Sequence, residues 1–144
     1  MLKVADLGTG KISTLELQVE GPVTLEIHPS GLDSYEYQNM EKLTYPDNSF
    51  DIVHCRNALD HTKDAPAAVK EMLRICKPGG KVFIKCWLDQ KDTGHKHYWN
   101  AKEYGIFSNG SDSFDLKDFG FDVRTVINGG ERRYDYIEAT WEKP

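Results

Sequence analysis

Residues 39–55 read Asn-Met-Glu-Lys-Leu-Thr-Tyr-Pro-Asp-Asn-Ser-Phe-Asp-Ile-Val-His-Cys. The polar first part carries a Pro-Asp-Asn-Ser turn, and the short apolar run after it is typical of a buried strand. A Gly-Thr-Gly turn at residues 8–10 comes earlier in the chain, and a Lys-Pro-Gly-Gly segment at residues 77–80 comes later. This order predicts a nucleotide-type ligand held across the carboxyl ends of a parallel sheet.

The length and charge of the chain limit its class. At 144 residues the chain is expected to form one domain, residues 1–144, which can bury about two thirds of its unfolded surface. Its 18 basic and 23 acidic residues give a formal net charge of −5, which offers no broad basic field for nucleic acid or an anionic membrane. No apolar run reaches the roughly 18 residues that a membrane span needs. We therefore expect no nucleic-acid partner and no membrane partner.

The cysteines indicate the cellular compartment. Cys55, Cys76 and Cys86 lie far apart, without a Cys-x-x-Cys pair or another metal-ligand spacing. An odd number of thiols, two of them in apolar runs, is typical of buried reduced cysteines rather than of a disulfide framework. With no signal peptide at the start, this pattern predicts a cytoplasmic protein without a bound metal.

The first part of the chain is predicted to form a strand, a glycine turn, a short helix and a second strand. In the turn, Gly8 permits a tight bend and Gly10 a close approach of the backbone to a ligand. By itself such a turn is more often an ordinary loop. Glu26, at the end of the second predicted strand, is the candidate carboxylate for the ribose hydroxyls of an adenosine ligand, and His28 is the competing register. A solvated glutamate at a strand end is the alternative interpretation of Glu26.

A helix is predicted between the strand at 52–55 and another strand at 81–87. Asp64 is the expected N-cap, and Pro66 lies in the first turn, where a missing N–H does no harm. The apolar positions that follow the spacing of one buried helix face are Val69, Met72, Leu73 and Cys76. The order of strand, helix and strand predicts right-handed crossovers and a parallel sheet.

The last third of the chain supports the same fold. Residues 88–110 are polar and rich in aromatic side chains, and we expect an insertion or flap over the carboxyl ends of the strands, where a substrate would lie. Aromatic residues that only pack a small flap onto the domain are the alternative. Residues 111–119 are predicted to form a short helix capped by Ser111 or Ser113. Two strands, at 121–127 and 133–142, are predicted to flank a hairpin turn at 128–130.

Three segments together carry a family resemblance. They are VADLGTG at residues 4–10, MEKLTYPDNSFD at residues 40–51 and EMLRICKPGG at residues 71–80. In this order they resemble class I S-adenosylmethionine-dependent methyltransferases, most closely the branch that acts on small molecules. The resemblance implies an α/β fold, a Rossmann-like three-layer sandwich with a mostly parallel seven-stranded sheet and a C-terminal antiparallel hairpin. It also implies S-adenosylmethionine as the cofactor.

The resemblance assigns the cofactor contacts by position. The implied residues are Asp6, Gly8, Gly10, Glu26, Asn39, Met40, Cys55 and Arg56. The first three would face the methionine end of the cofactor, and Glu26 would hold the ribose. Asn39 and Met40 would lie at the adenine, where the amide oxygen of Asn39 accepts a bond from the adenine amino group. Cys55 and Arg56 would border the methionine moiety.

The candidate catalytic residues follow the strand at 52–55. Methyl transfer from a positively charged sulfur mainly requires alignment of donor and acceptor and exclusion of water. An oxygen or protonated nitrogen of a small-molecule acceptor also profits from a base. His61 is the first candidate, with Asp60 to orient or assist it, and His97 is the second. For each histidine the alternative is a surface or packing role.

Three interpretations of function remain open at the level of sequence. The chain starts at its first predicted strand, whereas relatives carry earlier helices that form a lid over the cofactor. We expect such a lid to come from another part of the chain, a second copy or a partner subunit, or to be absent. An active methyltransferase is the favoured interpretation. A cofactor-binding subunit that is inactive alone, and is regulatory or activated by a partner, is the alternative. A dinucleotide oxidoreductase is disfavoured, because the glycine turn lacks a third glycine at the helix start.

Overall fold

A computed structural model describes residues 3–7, 40–89, 97–127 and 135–144. Its larger sheet consists of β1 (Val4–Leu7), β2 (Phe50–Arg56), β3 (Cys76–Trp87), β7 (Asp122–Val126) and β8 (Tyr136–Glu142). A smaller sheet consists of β4 (Asn100–Ala101), β5 (Ile106–Ser108) and β6 (Ser113–Asp115). Within the described residues, the α-helix α1 (Ala65–Ile75) connects β2 and β3. The described part of the chain is therefore a mixed α/β fold, as predicted.

The larger sheet has the strand order β1-β2-β3-β8-β7. Strands β1, β2 and β3 are parallel, whereas β8 is antiparallel to β3 and β7 is antiparallel to β8. Because β1 and β2 are parallel neighbours, their carboxyl ends meet at one edge, where Leu7 lies opposite Cys55. The predicted turn at 128–130 and any further strands of a seven-stranded sheet lie outside the described residues, so the strand count and the hairpin turn stay predictions.

Helix α1 begins and packs as the sequence predicts. The side chain of Asp64 caps it by accepting a hydrogen bond from the backbone N–H of Ala67 at 3.1 Å, and Pro66 occupies the first turn. Of the predicted buried face, Val69 and Met72 are buried, and Leu73 packs partly buried against the core. Cys76 is buried too, but it is the first residue of β3 and not part of the helix. None of the helices in the described segments has the length and apolar character needed to cross a membrane.

The helix predicted for residues 111–119 is wrong. The chain turns at Asn109, whose side-chain oxygen accepts hydrogen bonds from two following backbone N–H groups, and it continues as β6 and a single 3-10 turn at Leu116–Phe119. The cap of this turn is Asp115, which accepts from the N–H of Lys117 at 2.9 Å. Pairing with β5 brings Phe114 onto Phe107 with ring centroids 5.2 Å apart, and this contact between strands outweighs the local helix signals.

Candidate active site

Asp6 is a buried carboxylate near the end of β1. Its side chain is 2% exposed, and its Oδ1 lies 3.7 Å from Nδ1 of His54, the residue opposite it on β2. The other carboxylate oxygen, Oδ2, has no hydrogen-bond partner within the described segments. Because an unpaired buried carboxylate oxygen is costly, this atom is suited to accept a hydrogen bond from a ligand bound at the end of β1.

The end of β2 presents one buried and one exposed side chain. Cys55 is fully buried in the core, and its thiol pKa lies far above the ordinary value, first because of burial and then because of the charges of Asp6 and Asp60. The thiol is therefore neutral, and a cofactor contact by Cys55 is left to its backbone. Arg56 is exposed at the strand end.

Asn57 anchors the loop that follows β2. Its backbone has a φ of 49°, in the left-handed region that asparagine tolerates. Its N–H donates to the carbonyl of Lys85 at 2.8 Å, and its side-chain oxygen accepts from the N–H of Trp87 at 2.9 Å. Both contacts join the loop to β3, so the residues after Asn57 start from a fixed position at the carboxyl edge of the sheet.

Asp60 and His61 of this loop form a cluster with His97, which lies further along the chain. Asp60 lies in a 3-10 turn at Leu59–His61, and its side chain is 3% exposed. Its Oδ2 accepts a hydrogen bond from Nδ1 of His97 at 2.5 Å, and the His97 side chain is 4% exposed. Nε2 of His61 lies 4.0 Å from the same oxygen, and the side chain of His61 is 35% exposed. The centroids of the His61 and His97 rings lie 4.3 Å apart.

The segment that carries His97 is held against this loop by Trp99. The backbone N–H of Trp99 donates to the carbonyl of Asp60, and its ring Nε1–H donates to the carbonyl of Lys63, both at 3.1 Å. The Trp99 ring is buried and meets Phe114 of β6 at 5.1 Å in an edge-on contact. Three hydrogen bonds, including the one from His97, therefore join residues 97–99 to residues 60–63.

The structure brings together some of the predicted site residues. Asp6, Cys55 and Arg56 lie at neighbouring strand ends, and Met40 is buried in the core. The remaining predicted cofactor residues, Gly8, Gly10, Glu26 with its competitor His28, and Asn39, lie outside the described residues and stay predictions. Sequence reasoning missed that Asp60 pairs most closely with His97, because no local pattern relates two residues so far apart in the chain.

The comparison with known families identifies the class of the protein. The chain matches the model of the Methyltransferase domain family over residues 8–84, and it belongs to this family of S-adenosylmethionine-dependent methyltransferases. The matched residues include the Asp60–His61 turn, helix α1 and most of β3.

Relatives of the chain include methyltransferases of different kinds. The chain is 43% identical over 75 residues to a ubiquinone/menaquinone biosynthesis C-methyltransferase of Shewanella woodyi. The matched region covers 52% of this chain and 28% of that protein. It is 36% identical over 76 residues to phosphoethanolamine N-methyltransferase 1 of Arabidopsis thaliana. That matched region covers 53% of this chain and 15% of the other protein. The chain thus covers less than a third of the length of these relatives.

Solved structures share the fold over nearly the whole chain. A SAM-dependent methyltransferase from Aquifex aeolicus matches with a TM-score of 0.58 and 18% identity, over 96% of this chain and 81% of that one. The [4+2]-cyclase SpnF matches with a TM-score of 0.62 and 16% identity, over 99% of this chain and 74% of that one. At these identities the likeness concerns the fold.

The described residues fit the cofactor of the family, S-adenosylmethionine. The observation that tests this fit is the buried Oδ2 of Asp6, which lacks a hydrogen-bond partner in the described part of the chain and lies beside the carboxyl end of β2. A carboxylate oxygen in this position can accept hydrogen bonds at the ammonium-bearing methionine end of the cofactor.

Proposed function

We propose that the protein transfers a methyl group from S-adenosylmethionine to an oxygen or nitrogen atom of a small-molecule acceptor. The observation that carries this proposal is the Asp60, His61 and His97 cluster, which lies at the sheet edge where this family binds its cofactor. When bound, S-adenosylmethionine supplies a methyl group on a positively charged sulfur. The protein must then orient the acceptor, exclude water and take up the acceptor's proton.

The cofactor-binding residues in this proposal are Asp6, Gly8, Gly10, Glu26, Asn39, Met40, Cys55 and Arg56. Asp6 supports the methionine end through its buried carboxylate, and Cys55 contributes through its backbone because its side chain is fully buried. Met40 supplies an apolar surface for the adenine.

His61 is the proposed proton acceptor. Its ring is a third exposed, so an acceptor can reach it, whereas the His97 ring is enclosed. The Asp60 carboxylate, 4.0 Å from Nε2 of His61, stabilises the imidazolium that forms when His61 takes the proton. His97 holds that carboxylate in place through its own hydrogen bond. His97 is therefore a positioning residue in this proposal.

The test is methyl transfer by the purified protein across a panel of amines, hydroxyl compounds and activated ring carbons. We expect methylated amines or hydroxyls, and turnover by His61→Gln and Asp60→Asn lowered by about 10²-fold to 10⁴-fold. The affinity for S-adenosylmethionine, measured by calorimetry, should stay unchanged in both variants. Asp118→Asn, which changes an exposed carboxylate of the 3-10 turn at Leu116–Phe119, is the matched control and should turn over normally.

Several outcomes would overturn the proposal. Transfer to carbon acceptors alone would move the protein to the chemistry named for its Shewanella relative. Normal turnover by His61→Gln would remove His61 from the mechanism. Tight cofactor binding with no methylation of any acceptor would favour the inactive, regulatory or partner-activated subunit.

We also propose a reducing compartment such as the cytoplasm for this protein. The support is that Cys55, Cys76 and Cys86 are all free and buried.

A further inference from the structure

The Asp60, His61 and His97 cluster has the composition and spacing of a metal site. One ligand atom from each residue, a carboxylate oxygen and two imidazole nitrogens, lies within 4.8 Å of the others. Carboxylates and neutral imidazoles are the ligands of zinc and related divalent transition metals in many proteins. We propose that these three residues bind a divalent transition-metal ion of the zinc class.

The distances in the cluster suit such an ion. Zinc lies about 2.0–2.2 Å from nitrogen and oxygen ligands, so ligand atoms around a tetrahedral ion are roughly 3.3 Å apart. The Asp60 oxygen lies 2.5 Å from Nδ1 of His97 and 4.0 Å from Nε2 of His61, and these two values bracket that spacing. The ligand nitrogens of His61 and His97 lie within 4.8 Å of each other, so side-chain shifts would bring all three ligands to the distances of a bound ion. The side chain of His61 is the most exposed of the three.

The electrostatics of the cluster favour a cation. Asp60 is buried, its Oδ1 has no hydrogen-bond partner in the described segments, and its ion pairs there are with the two imidazoles alone. A divalent ion bound to Oδ2 of Asp60 would neutralise the carboxylate.

Three protein ligands leave an open coordination position. In zinc enzymes this position takes water or a substrate. An ion bound to His61 would also compete with the proton that this imidazole takes up in the proposed function. Metal binding itself rests on the cluster geometry, and only its effect on turnover rests on the proposed function. This site departs from the expectation of no metal, which was based on cysteine spacing along the chain.

The test is titration of the metal-stripped protein with Co²⁺, followed by its visible absorption, and competition with Zn²⁺. No cofactor or acceptor is present, so failure of metal binding and failure of methyl transfer are separate results. We expect one ion per chain, with the absorption bands of tetrahedral cobalt. Asp60→Asn, His61→Gln and His97→Gln should each weaken cobalt binding by more than about tenfold. A loss of about tenfold is the smallest that removal of an outer-shell partner typically causes. The control Asp118→Asn should bind like the unchanged protein.

A second measurement keeps the proposal testable if a variant fails to fold. In the unchanged protein, Zn²⁺ should shift the NMR signals of the ring nitrogens of His61 and His97. The signals of the His54 ring, which belongs to β2, faces Asp6 of β1 and lies outside the cluster, should not shift. Absence of cobalt binding, equal binding by the folded histidine variants, or zinc shifts at His54 alone would each overturn the proposal.

Discussion

Arg74 donates a hydrogen bond from Nε to Oε2 of Glu71 at 2.6 Å, and this pair on α1 holds the segment that leads from Met40 to β2. Glu71 uses its other oxygen to accept from the backbone N–H of Leu43 at 2.8 Å. The Arg74 guanidinium also donates to the carbonyls of Leu43 and Tyr45, at 3.1 and 2.8 Å. The connection that precedes β2 is therefore fixed to the helix that follows it.

Arg74→Lys should loosen this connection. A lysine has a single ammonium group and cannot reproduce the planar set of hydrogen bonds to the carboxylates of Glu71 and Asp47 and to two carbonyls. We expect the free energy of unfolding, measured in urea, to fall by about 1–3 kcal/mol. We also expect weaker binding of S-adenosylmethionine in calorimetry, because the loosened segment begins at Met40.

The control for Arg74→Lys is Arg124→Lys on β7. Arg124 also pairs with a glutamate, Glu138, but its side chain is exposed to solvent. Such exposed pairs contribute little to stability, so this control should unfold and bind the cofactor like the unchanged protein. Equal effects of the two substitutions would show that the Arg74 contacts do not hold the segment.

Glu71 gives the protein a stability that depends on pH. The pKa of its carboxyl is lowered in the folded state, first by the hydrogen bond from Arg74. A lowered folded-state pKa means that the ionised carboxylate stabilises the fold above its unfolded pKa of about 4.3 and that this contribution is lost as pH falls through the folded pKa. Glu71→Gln should therefore be less stable than the unchanged protein at pH 7, and the difference should shrink below about pH 4.

Urea unfolding at a series of pH values measures this effect. The matched control is Glu71→Gln made in an Arg74→Met background, where the main cause of the lowered pKa is gone. There the difference between glutamate and glutamine should vary much less with pH. A pH dependence that persists without Arg74 would assign it to another group.

Helix α1 and the segment at residues 111–119 show which features could be predicted from sequence. The start of α1 depends on Asp64 and Pro66, and its buried face depends on regular spacing, so all its signals lie within the helix itself. Phe114 behaves differently, because its place is decided by contact with Phe107 on the neighbouring strand. Local signals at Ser111 and Ser113 pointed to a helix that this pairing excludes.

The candidate site shows the same division. Asp60 and His61 are adjacent in the chain, and the sequence predicted both as site residues at the end of β2. The hydrogen bond from His97 to Asp60 depends on how the insertion packs, which Trp99 and its contacts decide. Composition marked the insertion as rich in aromatic and histidine side chains, but no spacing in the chain specifies which carboxylate meets His97.

Gly80 should not tolerate a side chain. A Cβ at this position would lie 2.5 Å from the carbonyl oxygen of Asp51 and 2.9 Å from both the sulfur of Cys76 and the carbonyl of Lys77. Backbone atoms cannot move aside cheaply, so Gly80→Ala should lower the free energy of unfolding by about 1–3 kcal/mol or more. Thermal and urea unfolding measure this loss.

Gly79→Ala is the control for Gly80→Ala, because it adds the same methyl group one residue earlier. A Cβ at Gly79 meets no atom within 4 Å, but the φ of 80° is unfavourable for alanine. We expect a loss of about 1–2 kcal/mol from this backbone conformation alone. If Gly80→Ala proved less damaging than Gly79→Ala, the close contact between β3 and the start of β2 would be contradicted.

The N-cap of α1 should contribute measurably to stability. Asp64→Ala removes the acceptor for the N–H of Ala67, and we expect a loss of about 1 kcal/mol. Asp64→Asn keeps a capping oxygen and should lose much less. Chemical unfolding of both variants checks this prediction, and equal losses would show that the charge rather than the cap matters.

Trp99→Phe should separate the effect of the hydrogen bond from Trp99 to Lys63 from the effect of the ring contact with Phe114. Phenylalanine keeps an aromatic ring against Phe114 but loses the hydrogen bond from Nε1 to the carbonyl of Lys63. His97 lies two residues earlier and depends on this docking to hold Asp60. We therefore expect a lower kcat with an unchanged affinity for S-adenosylmethionine, and a stability loss of about 1 kcal/mol.

The control for Trp99→Phe is Trp141→Phe on β8, where the ring packs near Phe121. It makes the same chemical change away from the cluster, so kcat should stay unchanged even if stability falls. A kcat loss of equal size in both variants would mean that lowered stability is the common cause. A normal kcat for Trp99→Phe would show that the hydrogen bond to Lys63 is not needed to hold His97 against Asp60.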